Sequence, residues 1–126
     1  MFEVAVEKVF AAGHALRDYN GRCENIHGHN YRVRVLLQGD RLDATGLLVD
    51  FLEVEAVMKT VIGRFDHMFL NEVPPFDKLN PSAENMAQVF HEEISRGISG
   101  SPRENDVRVS EVSVWETDEM RATYRA

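Results

Sequence analysis

The sequence predicts an α+β fold: a four-stranded antiparallel sheet with two helices on one of its faces, in the order β-β-α-α-β-β. Three observations carry that expectation. Two stretches in the first 39 residues alternate apolar with polar or charged side chains. Residues 51–65 and 82–94 hold apolar stripes at helical spacing, and residues 107–125 return to alternation.

Phe2, Val4 and Val6 alternate with charged or small residues, and in NYRVRVLLQGD Tyr31, Val33, Val35 and Leu37 alternate with Arg32 and Arg34. Both segments read as half-buried strands. The connection between them, from His14 to His29, is about sixteen residues, long for a hairpin and therefore a place for function or disorder. Asp50 followed by Glu53 resembles a capping box that opens a helix. On that helix Phe51, Val54, Val57, Met58, Val61, Ile62 and Phe65 follow one face, leaving Glu53, Glu55 and Lys59 for solvent. The proline-rich NEVPPFDKLNP delivers a second helix from about Ser82, with Met86, Val89, Phe90 and Ile94 as its apolar positions. His91 falls off that stripe and is assigned no role. GISGSPREND ends the helix, and in the tail a phase change near Ser110 and Glu111 predicts a bulge ahead of a turn near Thr117 and Asp118.

Composition bounds the function. The 126 residues show no repeat, low-complexity tract or linker, so 1–126 reads as a single domain, large enough to bury roughly two-thirds of its unfolded surface. One cysteine cannot form an internal disulfide, and MFEVAVEKVF carries charges where a signal peptide needs an apolar run. A reducing, cytoplasmic setting is expected. With 14 Lys+Arg against 21 Asp+Glu the net charge is −7, with no basic cluster and no run of eighteen apolar residues, so neither nucleic acid nor membrane is an expected partner.

The stretch RCENIHGHNY, residues 22 to 31, concentrates the chemistry. On a strand His27 and His29 project from one face roughly 6.6 Å apart, with Gly28 between them facing away. His14 joins them as a third nitrogen ligand if the two strands pair across the long loop. Three histidines with an open position make the arrangement of a catalytic zinc; chance H-x-H spacing with an unrelated His14 is the competing reading. Cys23 is either a fourth ligand closing a structural site or a free thiol beside an open one, its pKa lowered by the cation. A buried inert cysteine is the commonest fate of a lone thiol, but the polar neighbours Arg22 and Glu24 argue against burial. Asp66 and His67 make an acid-base pair or a helix-end cap, since sequence neighbours do not generally face each other. Glu116 in VWETD is a hairpin glutamate or an acceptor for the amidine-like edge of a ligand.

Six pieces in register then carry a resemblance: His14 in VFAAGHAL, C-x-x-x-H-G-H-N-Y, GLLVDF, FDHMFLN, NPSAEN and VWETD. From Phe10 to Glu116 the chain resembles the 6-pyruvoyltetrahydropterin synthase family, with spacing similar to its bacterial 6-carboxy-tetrahydropterin synthase branch, often called QueD. The resemblance implies a tunnelling fold (T-fold): the β-β-α-α-β-β unit assembled through its sheets into trimers that pair as hexamers, with active sites between subunits. It makes His14, His27 and His29 ligands of Zn2+, Cys23 the catalytic thiol, and Asp66 and His67 a second acid-base group supplied by a neighbouring subunit. Glu116 becomes the anchor of the pterin ring, and Ser82 stands where the family commonly has Thr.

The implied activity is that of a zinc-dependent carbon-carbon lyase. Its small-molecule pterin substrate is 7,8-dihydroneopterin triphosphate, and the products are 6-carboxy-5,6,7,8-tetrahydropterin, acetaldehyde and triphosphate in queuosine biosynthesis. Glu24 opens an alternative, because E-x-x-H-G-H resembles a branch in which glutamate replaces the thiol and yields 6-hydroxymethyl-7,8-dihydropterin for folate synthesis; C-E-x-x-H-G-H is similar to members serving both routes. Glu24 pointing to solvent is the simpler reading of a loop glutamate in an acidic protein. A structural-zinc binding module and an inactive assembly partner are the readings from other classes.

Overall fold

The computed structural model describes residues 1–18, 21 and 24–126. Strands β1 (Phe2–His14) and β2 (His27–Gly39) are followed by helices α1 (Phe51–Ile62) and α2 (Ala83–Ser99), then by strands β3 (Arg108–Thr117) and β4 (Met120–Arg125). The four strands form one antiparallel sheet in the order β1-β2-β3-β4. Chain order and spatial order coincide because every strand pairs with its predecessor, the cheapest solution for strands that each expose one apolar face.

Alternation decides which face is inside. Val33, Val35 and Leu37 on β2 and Val112 and Val114 on β3 are fully buried beneath the helices, while Arg32, Arg34 and Trp115 project from the opposite face. Both helices cover the first face. From α1 come Val54, Met58 and Ile62, and from α2 Met86, Phe90, Ile94 and Ile98. At the centre Phe10 stacks on Tyr31 with centroids 5.2 Å apart and meets Phe90 edge-on at 6.0 Å, so ring quadrupoles add to area burial where β1, β2 and α2 meet.

The bulge lies where the phase change places it. Leu36 pairs with Glu111 but Leu37 pairs with Val109, which leaves Ser110 as the extra residue and lets both Val109 and Val112 face the core. A turn at residues 118–119 joins β3 to β4, with Thr117 opposite Met120. Ser82 caps α2 by accepting the Asn85 backbone N–H at 3.1 Å.

Four details depart from expectation. Asp50 does cap α1, accepting the Leu52 N–H at 2.9 Å, but the box is half-made: the Glu53 carboxylate turns instead to Arg103 at 2.7 Å. Phe51 is 62% exposed, because it sits at the first helical position and points past the core. Phe65 is fully buried although α1 ends at Ile62, its ring reaching Phe76 and Phe90 from the turn beyond. His91 is buried rather than off the stripe. Strand β4 lies against that side of α2 and meets the imidazole edge-on through Tyr124 at 5.1 Å, a neighbour that helix periodicity alone does not reveal.

Candidate metal centre and active site

The site begins with strand register. His14 is paired directly with His27, and Ala12 with His29, so the last residue of β1 and the first of β2 meet at one end of the sheet. The even positions of β1 and the odd positions of β2 share the core-facing side, which places His14, His27 and His29 together. Their ring centroids are 4.5, 5.1 and 4.9 Å apart, and one ligand atom from each lies within 4.8 Å of the others. The centre is built on paired strands, so backbone hydrogen bonds fix it more tightly than a loop could.

Two carbonyls orient the rings. His14 Nδ1 lies 2.7 Å from the Pro81 carbonyl and His27 Nδ1 lies 2.7 Å from that of Asn25. A ring that donates from Nδ1 in its neutral form carries a lone pair on Nε2. The Nε2 atoms of His14 and His27 are 2.9 Å apart, so with both Nδ1 protons on the carbonyls two lone pairs confront each other. His29 Nε2 is buried with no hydrogen-bond partner. Three converging imidazole nitrogens, two pre-aimed and one without a partner, form the donor set of a divalent cation such as zinc; the residues fit the ion.

Burial favours the neutral form of His14 and His29. Burial lowers the pKa of His14 from its ordinary 6.5 against the opposing pull of the Pro81 carbonyl and Glu116, and burial likewise lowers that of His29. Tyr31 forms the floor, its ring 5.7 Å from His14 and 5.3 Å from His29. Burial pushes its phenol far above the usual tyrosine range, so it stays a neutral hydroxyl. Glu116, brought to the core-facing side by the alternation Val112, Val114, Glu116, places carboxylate oxygens 3.7 Å from His29 Nε2 and 4.0 Å from His14 Nε2.

The lowered histidines predict a pH dependence for the metal-free protein. Between the ordinary 6.5 and the lowered folded values the unfolded chain binds more protons than the folded one, so stability falls as pH drops through that window and levels off below it. Urea denaturation in chelator is expected to give a lower midpoint at about pH 5.5 than at about pH 7.5, with a shallower dependence in His29→Gln.

Asp66 and His67 do face each other. His67 adopts a left-handed φ of 61°, which swings its Nδ1 to 2.9 Å from Asp66 Oδ1. Asp66 Oδ1 also accepts the Ala11 N–H at 3.1 Å, and the His67 N–H donates to the Ala11 carbonyl at 2.6 Å. The pair is thereby docked along the free edge of β1. Among the described residues no hydrogen bond or ion pair joins it to the three histidines; His67 is 81% exposed and opens onto a groove of about 440 Å³ with Ala11, Gly28 and Asn30. Glu24 is exposed. Cys23 lies outside the described residues.

Sequence reasoning missed the brace behind His14. The Asn71 amide bonds both the N–H and the C=O of Ala15, at 2.9 and 2.8 Å, and Asn80 does the same for Arg17 at 2.8 and 3.1 Å. Arg17 returns the tie, its guanidinium reaching the carbonyls of Asn71, Phe76 and Leu79. This clasp holds the loop whose Pro81 carbonyl aims His14. Its sequence signal is the asparagine at either end of NEVPPFDKLN. Glu84, also unremarked in sequence, lines a small groove with Glu116 and Arg121.

Fold and site define a four-stranded α+β protein with a three-histidine, metal-capable centre at one end of its sheet. The family model described as 6-pyruvoyl tetrahydropterin synthase matches residues 3–126. The chain is 30% identical to the 6-carboxy-5,6,7,8-tetrahydropterin synthase of Bacillus subtilis, over 98% of this chain and 85% of that protein. It is 26% identical to the protein of the same name from Haemophilus influenzae, over 99% of each. The solved structure of Caenorhabditis elegans 6-pyruvoyl tetrahydropterin synthase superposes with a TM-score of 0.82 at 29% identity, covering 100% of this chain and 97% of that one. This chain belongs to the 6-pyruvoyl tetrahydropterin synthase family.

Proposed function

We propose that residues 1–126 act as one T-fold unit and a zinc-dependent 6-carboxy-5,6,7,8-tetrahydropterin synthase, a carbon-carbon lyase of queuosine biosynthesis. The substrate is 7,8-dihydroneopterin triphosphate, which takes up one water as its side-chain carbon-carbon bond is cleaved, and 6-carboxytetrahydropterin, acetaldehyde and triphosphate leave. The observation that carries this reading is the convergence of His14, His27 and His29 within 4.8 Å, in a chain whose relatives bear that synthase name.

His14, His27 and His29 hold the ion through their converging nitrogens, with the Pro81 and Asn25 carbonyls fixing two of the rings. Bound zinc supplies Lewis acidity toward the oxygens of the substrate side chain. Glu116, on the open side of the triad, accepts hydrogen bonds from the pterin edge, and Ser82 retains a hydroxyl proton to donate while it caps α2. Cys23 and the Asp66–His67 pair move protons on and off the side-chain carbons. In the pair, Asp66 orients the imidazole and favours its Nδ1-protonated tautomer, leaving His67 Nε2 as the atom that exchanges a proton.

Exposure of His67 supports its working in a neighbouring subunit's site. The proposed assembly is a cytoplasmic homo-oligomer, a trimer paired into a hexamer. Two sheet edges support it: β1 and β4 are the outer strands of the sheet, so one copy's β4 can add beside the next copy's β1. None of the described helices is long and apolar enough to cross a membrane.

Mass spectrometry of products from zinc-loaded protein and 7,8-dihydroneopterin triphosphate tests the reading. 6-Carboxytetrahydropterin is expected, lost in Cys23→Ala and retained in Glu24→Ala. 6-Hydroxymethyl-7,8-dihydropterin that depends on Glu24 overturns it in favour of the folate reaction, and zinc binding without any product reduces the chain to a metal module.

A further inference from the structure

We propose that the sheet face turned away from the helices carries a binding site for compact polyphosphate anions, built from Arg32, Arg34 and Arg121 around Trp115. The inference does not depend on the reaction above. Strand register assembles the group: Arg32, Trp115 and Arg121 occupy one cross-strand row over β2, β3 and β4, and Arg34 stands in the next row. Their guanidinium carbons lie 4.2, 5.4 and 5.3 Å from the Trp115 ring centre, all inside the range of a cation–π contact. One small sphere therefore contains three permanent positive charges, in a chain whose net charge is −7.

None of the three is held in an ion pair among the described residues. Among the described residues no carboxylate oxygen comes within 4.0 Å of these three guanidiniums, although Glu7 stands opposite Arg34 in the β1–β2 register. The same face shows the alternative: Arg125, one row further along, pairs with Glu111 at 2.6 Å. Arg32 Nε is buried without a hydrogen-bond partner, a donor whose unmet demand is costly unless an acceptor arrives. Beside Arg34, the hydroxyls of Ser113 and Thr123 are paired at 2.7 Å, which leaves one of their two protons unused.

The arrangement selects the ligand class. Guanidinium forks match phosphate oxygens bidentately, and in the register the indole stands between Arg32 and Arg121. Cations grouped around a single ring suit a short ligand of high charge density. An acidic peptide or a nucleic-acid strand would call for cations spread along a strand's length. Polyphosphates of two or three phosphate units meet that requirement.

Trp115 is the only tryptophan in the chain, so the site carries its own reporter. Titrating sodium tripolyphosphate into the zinc-loaded protein at low salt is expected to give a saturable change in its fluorescence. Affinity should fall about tenfold or more in Arg34→Gln/Arg121→Gln, and steeply with added sodium chloride. It should persist in His29→Ala, which separates this site from the metal centre and from turnover. A flat titration, a response indifferent to the arginine changes, or one lost with His29 overturns the proposal. So does orthophosphate or a single-stranded oligonucleotide binding more tightly than tripolyphosphate.

Discussion

His29→Ala should leave the chain folded and empty of zinc. The removed imidazole is the one whose Nε2 has no hydrogen-bond partner, so the substitution breaks no described hydrogen bond, and its backbone stays locked opposite Ala12. Two nitrogens remain, and a tetrahedral ion held by two protein ligands keeps little of its affinity. Loss of an outer partner to a metal-binding histidine typically costs about 10–100-fold in affinity, and loss of a ligand itself is expected to exceed that. Metal analysis after desalting should fall from one zinc per chain to near zero, and 6-carboxytetrahydropterin formation should vanish with it. The circular dichroism spectrum should not change. A variant that retains stoichiometric zinc would remove His29 from the centre.

The largest loss of stability is expected from Phe90→Ala. Phe90 is fully buried on α2, edge-on to Phe10 at 6.0 Å and tilted against Phe65 at 5.7 Å, and so it joins β1, α2 and the turn after α1. Deleting the ring removes its transfer free energy and leaves a cavity that paired strands on one side and a helix on the other cannot collapse to fill, a cost of about 3–5 kcal/mol. Against a typical domain stability of about 5–15 kcal/mol, that is a large fraction of the whole. Equilibrium urea unfolding should show a sharply reduced midpoint at an unchanged slope, and Phe90→Leu should recover more than half of the loss.

The fold was legible because its strands and helices obey simple periods. Val33, Val35 and Leu37 announce an inward face, and the broken period at Ser110 announces a bulge, since a strand cannot change phase any other way without exchanging its faces. The histidines were legible in part: H-x-H gives a shared face, but the adjacency of His14 depends on long-range pairing, which no local pattern encodes. The contact between Asp66 and His67 was hidden because it requires a left-handed backbone at His67, and nothing in the residue type demands one. The burial of His91 was hidden because an edge strand from the far end of the chain supplies its neighbour. The Asn71 and Asn80 clasp was hidden for the opposite reason: asparagine in a proline-rich loop is unremarkable until the backbone it binds is seen.

That clasp also distributes tolerance to variation unequally between its two sides. Asn71 and Asn80 read only the peptide groups of Ala15 and Arg17, each taking one N–H and one C=O. Any residue except proline can offer the same pair of groups at position 15, so drift there leaves the contact intact, while the amide at position 71 has no substitute of equal reach. The side chain at position 15 can thus change under selection for substrate or partner while the backbone path beyond His14 stays fixed by atoms encoded more than fifty positions away.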